Sequence, residues 1–348
     1  MNGHAAARRL SMAIALAVAI GQGGGTDVLP ARADELPTFA GPAMGTTYRV
    51  TLARAIPGMP TGLVHREAEQ VLAEIDRAAS TWRDDSDVSR FNRAAAGEWV
   101  AVSADLAAVV EIAHEVHAQS QGAFDITAAP LVAAWSRSRD AAEPAAEALA
   151  SARRLVGMSL VELRGPDAAA GRGLRKLRGG VAIDLGGIAP GYAVDRIGAR
   201  LVELGSTAHL VELGGEVRAW GRRPDGHPWR VRLRGSGAAA GGAIELADGA
   251  AVATSTVRPG RSPVDPRSGR LVAGPPAAAT VRAGSCAVAD AWAVAALVLG
   301  LEPGPDGTLT PPPVSPAARP APAGGSSGAP SSGSPGASRS TARGASPS

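Results

Sequence analysis

Two acids stand out by their settings. Asp184 ends the apolar run Val181-Ala182-Ile183 and is followed by a turn through Gly186 and Gly187. Past the turn, Ile188 to Leu204 carries Val194, Ile197 and Leu201 at helical spacing and closes at Gly205. The layout is strand, glycine turn, helix. Glycines let a backbone approach a ligand closely, and a helix start offers unpaired N–H groups and a partial positive charge to a phosphate. An acid beside such a turn can bind a ribose hydroxyl, a nucleobase edge or a metal. Plain strand–helix junctions carry Gly-Gly as well, and the spacing fails the G-x-G-x-x-G pattern, so an ordinary Rossmann site is not indicated. Asp290, the second acid, is alone on the apolar stretch Ala287 to Leu299. A carboxylate there is costly to bury unpaired and must face a cation, a hydrogen-bond donor or water. It is the best single metal-ligand candidate; the alternative is an acid near a helix start that serves the dipole.

Other groupings are weaker. Asp84, Asp85 and Asp87 are spaced closely enough to suggest a calcium loop, but Gly at the sixth position and Glu at the twelfth are missing, so a solvated turn is expected. His114 and His117 lie three apart on a helix that runs from a cap at Ser103 to a stop at Gly122. No carboxylate is spaced with them as in a zinc helix, so surface histidines are expected. Ala123-Phe124-Asp125 directly after the stop suits a binding loop, or an ordinary turn with a packed Phe.

The positioning elements follow from periodicity. Arg49 to Leu52 alternates like a strand, and Thr61 to Ala79 is an amphipathic helix with Val64, Ala68, Val71, Leu72 and Ile75 on one face. A further helix is expected over Ala141 to Leu155 and a hairpin loop between Gly165 and Gly180. His209–Leu213, broken by Gly214-Gly215, resumes as Glu216–Trp220, and Trp229–Leu233 alternates cleanly, which reads as an antiparallel meander. Ala250–Ser255 and Ala277–Val281 are two more strands. Pattern alone reaches a mixed α and β protein.

The chain has 348 residues, enough to bury a sizeable core, but aromatics make up only 3%, so that core rests on Ala, Val, Leu and Ile. A net charge of +3 with no basic block gives no reason to expect nucleic acid as a partner. Arg8-Arg9 precede an apolar run from Leu10 to Ile20, and Ala31-Arg32-Ala33 supplies a cleavage pattern, so residues 1–33 are expected to be a signal peptide. The run is too short for a stable membrane span. One cysteine, Cys286, can make no internal disulfide, which fits an exported, periplasmic protein whose stability rests on its core. From Pro303 to Ser348 the composition collapses into Pro, Gly, Ser and Ala, and a disordered tail is expected.

Taken in order, several separated motifs resemble the ApbE family of FAD:protein FMN transferases. They are Met44-Gly45-Thr46; Ser80-Thr81-Trp82 with Ser89-Arg90-Phe91-Asn92; Ala123-Phe124-Asp125; Asp184-Leu-Gly-Gly-Ile-Ala with Gly191-Tyr192; Leu213-Gly214-Gly215; Ala253-Thr254-Ser255; Asp265-Pro266-Arg267-Ser268-Gly269; and Ala289-Asp290-Ala291. The resemblance spans Met44 to about Gly300. It implies an α+β fold with largely antiparallel sheets, packed helices and the cofactor between two lobes, over a domain of residues 34–302. It implies an exported, Mg2+-dependent enzyme that moves the FMN half of FAD onto a threonine hydroxyl of an acceptor flavoprotein and releases AMP. By the same resemblance Met44, Trp82, Ala123, Phe124, Asp125, Asp184 and Pro190 line the FAD site, and the backbone of Gly187 with the Asp290 carboxylate holds the metal. Attack on a pyrophosphate builds charge on phosphoryl oxygens, which a hard divalent cation offsets.

The chain departs from the family pattern at several points. Pro190 replaces a Lys, Ser262 stands where the family has a His, and Val294 replaces a Thr four residues after the metal-binding Asp. The loop from Ser255 to Asp265 is short, and the low-complexity tail stands in place of a closing helix and strand. No residue of this chain is therefore assigned a catalytic role. A catalytically impaired flavin-binding protein, or an FAD pyrophosphatase, is the alternative function, and a non-flavin structural module is a third.

Overall fold

The computed structural model describes residues 26–28, 36–138, 143–165, 167, 171–233, 242–257, 262–274 and 277–314. Its strands are β1 (Thr26–Val28), β2 (Thr38–Ala43), β3 (Thr46–Leu52), β4 (Trp99–Ala101), β5 (Val161–Arg164), β6 (Gly173–Lys176), β7 (His209–Leu213), β8 (Glu216–Trp220), β9 (Trp229–Leu233), β10 (Ala243–Leu246), β11 (Ala251–Thr256) and β12 (Ala278–Ala283). Its α-helices are α1 (Thr61–Ala79), α2 (Asp87–Arg93), α3 (Ala104–Gln119), α4 (Ala129–Arg137), α5 (Ala146–Arg153), α6 (Ala189–Glu203) and α7 (Cys286–Leu299).

The main sheet is antiparallel throughout, in the order β12-β11-β8-β7-β3-β2. Strand alternation gives it two apolar faces. Tyr48, Val50, Leu52, Val211 and Leu213 join the core formed with α1, α6 and α7. Leu210, Val217, Ala219 and Val252 point the other way, onto Trp229, Val231, Leu233, Ile244 and Leu246 of the small sheet β1-β9-β10. A third sheet, β4-β6-β5, contains a hairpin of β5 and β6, but the loop expected between Gly165 and Gly180 is shorter than that span, because Gly173–Lys176 within it is β6 itself.

Several expectations change. The acidic segment after Trp82 begins as the expected solvated turn, with Asp84 and Asp85 exposed, but Asp87 is buried in a short helix: Ser86 Oγ accepts the Ser89 N–H at 3.0 Å and starts α2. Val181 to Asp184 is not a strand. It is extended chain held by side chains, with the Asn92 amide exchanging both bonds with Ile183 (2.8 and 2.9 Å). The buried Lys176 ammonium donates to the carbonyls of Asn92 and Val181, both at 2.9 Å. The helix expected from Ala141 begins at Ala146; residues 139–142 lie outside the described ones. Residues 303–314, read as the start of a tail, pack on the domain, because Leu309 exchanges backbone bonds with Thr280 and Arg282 at 2.8 Å. The rest of that tail, and the expected signal segment apart from Thr26–Val28, lie outside the described residues. Thr26–Val28 pairs antiparallel with β9. No helix among the described residues is long and apolar enough to cross a membrane.

The main core contains a pH-sensitive group. His209 is fully buried, its ring stacked 4.7 Å from that of Trp220 and its Nδ1 2.9 Å from Ser206 Oγ. Burial pulls its pKa down to about 4. Below its ordinary value near 6.5 the unfolded chain binds a proton that the folded chain refuses until about pH 4, so this contribution to stability is full above 6.5 and is lost as pH falls from there to about 4. At about 1.4 kcal/mol per pKa unit the loss reaches about 3 kcal/mol. Denaturant melts from pH 7 to 4 should show this fall in the parent, and a shallower one in His209→Gln.

Candidate active site

The glycine turn and the last helix, distant in sequence, meet. A Cβ on Gly187 would stand 3.0 Å from Val294 Cγ2 and 3.5 Å from Phe124 Cε2, and one on Gly191 only 2.4 Å from the Cys286 carbonyl oxygen. Small residues at the start of α6 therefore let it lie directly on α7. At that contact the Gly191 N–H donates to Asp290 Oδ2 at 3.1 Å. In an uninterrupted helix this N–H would bond the carbonyl four residues back, at Gly187. Diverting it leaves the Gly187 carbonyl without a hydrogen-bond donor among the described residues, next to a buried carboxylate.

The expected row of free N–H groups is not there. Asp184 Oδ1 takes the Gly186 N–H at 2.8 Å, and the Leu185 carbonyl takes those of Ile188 and Ala189. Pro190, in the first turn of α6, has none, and Gly191 is given to Asp290. Of residues 186–191 only Gly187 keeps an N–H unpartnered among the described residues. The turn is thus built to present one peptide unit.

Asp290 is 4% exposed on α7. Burial pushes its carboxyl well above the ordinary carboxylate range, Glu216 pushes it further, and only the Gly191 N–H opposes them. Glu216, at the end of the Gly214-Gly215 turn, accepts the Gly215 N–H at 3.0 Å and is itself shifted upward, chiefly by burial. Sequence reasoning passed over Glu216, although it directly follows the Leu213-Gly214-Gly215 motif. A buried acid and a half-buried one in each other's field favour a cation nearby, and a carboxylate with a free peptide carbonyl is a hard-oxygen donor set suited to Mg2+. The residues fit such an ion.

The remaining predicted residues fall into four groups. Phe124 packs on Gly187, and Asp184 joins the same loop through its N–H to the Ile126 carbonyl at 2.8 Å. Burial shifts the Asp184 carboxyl upward against the opposing Gly186 N–H. Ala123 is buried beside them. Met44 and Gly45 form the two-residue turn between β2 and β3 with φ of 49° and 75°; Met44 is a non-glycine residue in the left-handed region, held there against the core. Trp82, in contrast, is 48% exposed between α1 and α2, and its one hydrogen bond among the described residues is from its N–H to Ser80 Oγ. Asp125 has its carboxylate already engaged: Oδ1 accepts Thr127 N–H and O–H at 2.7 and 2.5 Å, and Oδ2 lies 3.3 Å from His117 Nδ1. His114 and His117 are half-buried and not the surface residues expected, and no metal-ligand cluster of three or more occurs among the described residues. Asp125 also lines a cleft of about 270 Å³ with Arg153, Val156, Gly157, Pro266 and Arg267. Pro266 and Arg267 belong to the Asp265–Gly269 turn, in which Asp265 accepts from Arg267 and Ser268.

The sequence model of the ApbE family matches residues 44–309. The chain belongs to the ApbE family. The match reaches the Leu309 segment that lies along β12, past the Gly300 boundary expected from motifs alone. The FAD:protein FMN transferase of Vibrio cholerae is 30% identical over 281 residues, covering 76% of this chain and 82% of that protein. Among solved structures, the flavin transferase ApbE from Vibrio cholerae superposes with a TM-score of 0.69 at 32% identity, over 77% of this chain and 88% of that one. The apo flavinyl transferase ApbE of Pseudomonas stutzeri gives the same TM-score at 36% identity, over 77% and 86%. The ApbE fold is therefore mixed α+β with largely antiparallel sheets, as expected.

Proposed function

We propose that this chain is an FAD:protein FMN transferase, moving FMN from FAD to a threonine hydroxyl of an acceptor flavoprotein with release of AMP. The observation that carries the reading is the unpartnered Gly187 carbonyl beside buried Asp290, at a turn where Phe124 and Asp184 converge. Those two oxygens would hold Mg2+. When bound, the ion would offset charge on the pyrophosphate.

The chain's own residues do the rest. Met44, Ala123, Phe124 and Pro190 would give apolar contact to the flavin, and Asp184 keeps Oδ2 free to accept from a ring N–H or hydroxyl. Asp125 would act through the loop it braces, since its carboxylate is occupied. Exposed Trp82 is placed to stack on a flat ring at the rim. Val294 offers no oxygen to a cation, which supports a slower enzyme than its relatives. The N-terminal Arg8-Arg9 and apolar run support export to the periplasm.

Purified protein incubated with FAD, Mg2+ and an acceptor flavoprotein domain is expected to leave covalent, fluorescent flavin on the acceptor and one AMP per flavin. No adduct at any enzyme concentration would overturn the reading. FAD bound without AMP release, or cleaved to FMN and AMP without an adduct, would mark the binding protein or the pyrophosphatase instead.

A further inference from the structure

The geometry points to His117, oriented by Asp125, as the group that takes the proton from the acceptor's threonine hydroxyl. His117 Nδ1 lies 3.1 Å from the Phe124 carbonyl oxygen and 3.3 Å from Asp125 Oδ2. Both neighbours are acceptors, so Nδ1 carries the hydrogen and the lone pair sits on Nε2. Nε2 has no hydrogen-bond partner among the described residues, and the side chain keeps 28% exposure. An imidazole held at one nitrogen by a carboxylate and open at the other has the arrangement of a general base.

Its place suits the role. The residue whose carbonyl holds the ring is Phe124, whose own ring packs on Gly187. On the other side, His117 Cε1 and Arg267 Cγ both flank Gly122, at 3.5 and 3.7 Å from where a Cβ would stand. Gly122 has φ 78° and no Cβ, so no side chain at this position stands between the imidazole and Arg267. The charged and titratable groups around the ring are His114 on its own helix, Asp125 on the following loop and Arg267 on the Asp265–Gly269 turn. Asp125 also anchors the loop through Thr127, whose Oγ1 accepts the Gly157 N–H at 2.7 Å. The dyad is therefore held rigidly from two sides.

The threonine Oγ forms a bond to the FMN-side phosphorus as Nε2 takes its proton. The bond from that phosphorus to the bridging oxygen breaks, and the oxygen leaves with the electron pair on AMP. The proton then passes from the imidazolium to AMP, and the imidazole is restored.

This assignment rests on the transferase reading, and the test separates the two. Transfer is measured with parent, His117→Gln and His117→Ala, each first checked for thermal melting and for FAD affinity by flavin fluorescence. Expected results are a hundred-fold or greater loss of transfer rate in both variants, FAD affinity within about threefold of the parent, loss of the acidic limb of the pH–rate profile, and recovery of His117→Ala by added imidazole. A fall caused by lost packing alone would show weaker FAD binding and no rescue, and would overturn the assignment. Transfer within threefold of the parent in His117→Gln would overturn it too, while leaving the transferase reading intact. A parent that forms no adduct would overturn both.

Discussion

Asp290→Asn is expected to cut flavin transfer about a thousand-fold while leaving the metal-free protein at least as stable as the parent. The two effects have one cause. Asp290 is buried against Glu216 on α7, so its anion is costly until a cation offsets it. Asparagine keeps an oxygen for the Gly191 N–H and removes the charge, so folding loses nothing. On the proposed reading it would also remove the metal's anionic ligand, and with it several kcal/mol of charge stabilisation in the transition state; about 4 kcal/mol is a thousand-fold in rate. Melting curves with and without Mg2+, beside the transfer assay, check this. The parent should melt higher with Mg2+ and the variant should not respond. An undiminished Mg2+ response in Asp290→Asn would contradict the assignment of the ligand.

Asp195→Ala is expected to destabilise the fold by about 3–5 kcal/mol, the cost of leaving a buried charge network without its partner. Asp195 is 1% exposed on α6 and gathers four donors: Arg218 Nη1 and Ser285 Oγ at 2.7 Å, and the N–H groups of Cys286 and Ala287 at 2.9 and 3.0 Å. The last two are orphan N–H groups at the start of α7, so this carboxylate bolts that helix to α6 and to β8. Since α7 carries Asp290, transfer should fall as well. Urea melts should show a lower midpoint at unchanged slope, with Asp195→Asn intermediate. A loss under about 1 kcal/mol would show that Arg218 and the helix start find other acceptors.

Elements whose partners are local were legible in the sequence. The face of α1 shows in the spacing of Val64, Ala68, Val71, Leu72 and Ile75, all of them buried. The β7–β8 hairpin shows in Gly214-Gly215, and α7 begins at Cys286, one residue before its expected start. What stayed hidden depends on partners far along the chain. Ile183 is fixed by Asn92 and Lys176 binds the Val181 carbonyl, so a stretch that looked like a strand needs no sheet neighbour. Leu309 follows a Pro- and Gly-rich run and is ordered only because β12 supplies its backbone bonds.

The site shows the same division. Motif matching grouped Asp184, Gly187 and Asp290; the α6–α7 contact brings Gly187 and Asp290 to one place, while Asp184 is tied to the Phe124 loop through Ile126. It could not show that the Asp125 carboxylate is bound by Thr127 and His117, because the Asp125–His117 contact depends on how α3 meets the loop after Gly122. Nor could it show that the N–H groups at the start of α6 are nearly all taken, since that follows from Gly191 turning to Asp290.

The central claim is that a divalent ion sits between the Gly187 carbonyl and Asp290, against the pyrophosphate of FAD. Crystals grown with FAD and Mn2+ test it through the anomalous signal of the manganese. The account predicts a peak bonded to both oxygens, with the pyrophosphate on its open side. Bound FAD whose manganese lies elsewhere, or which has none, would contradict it.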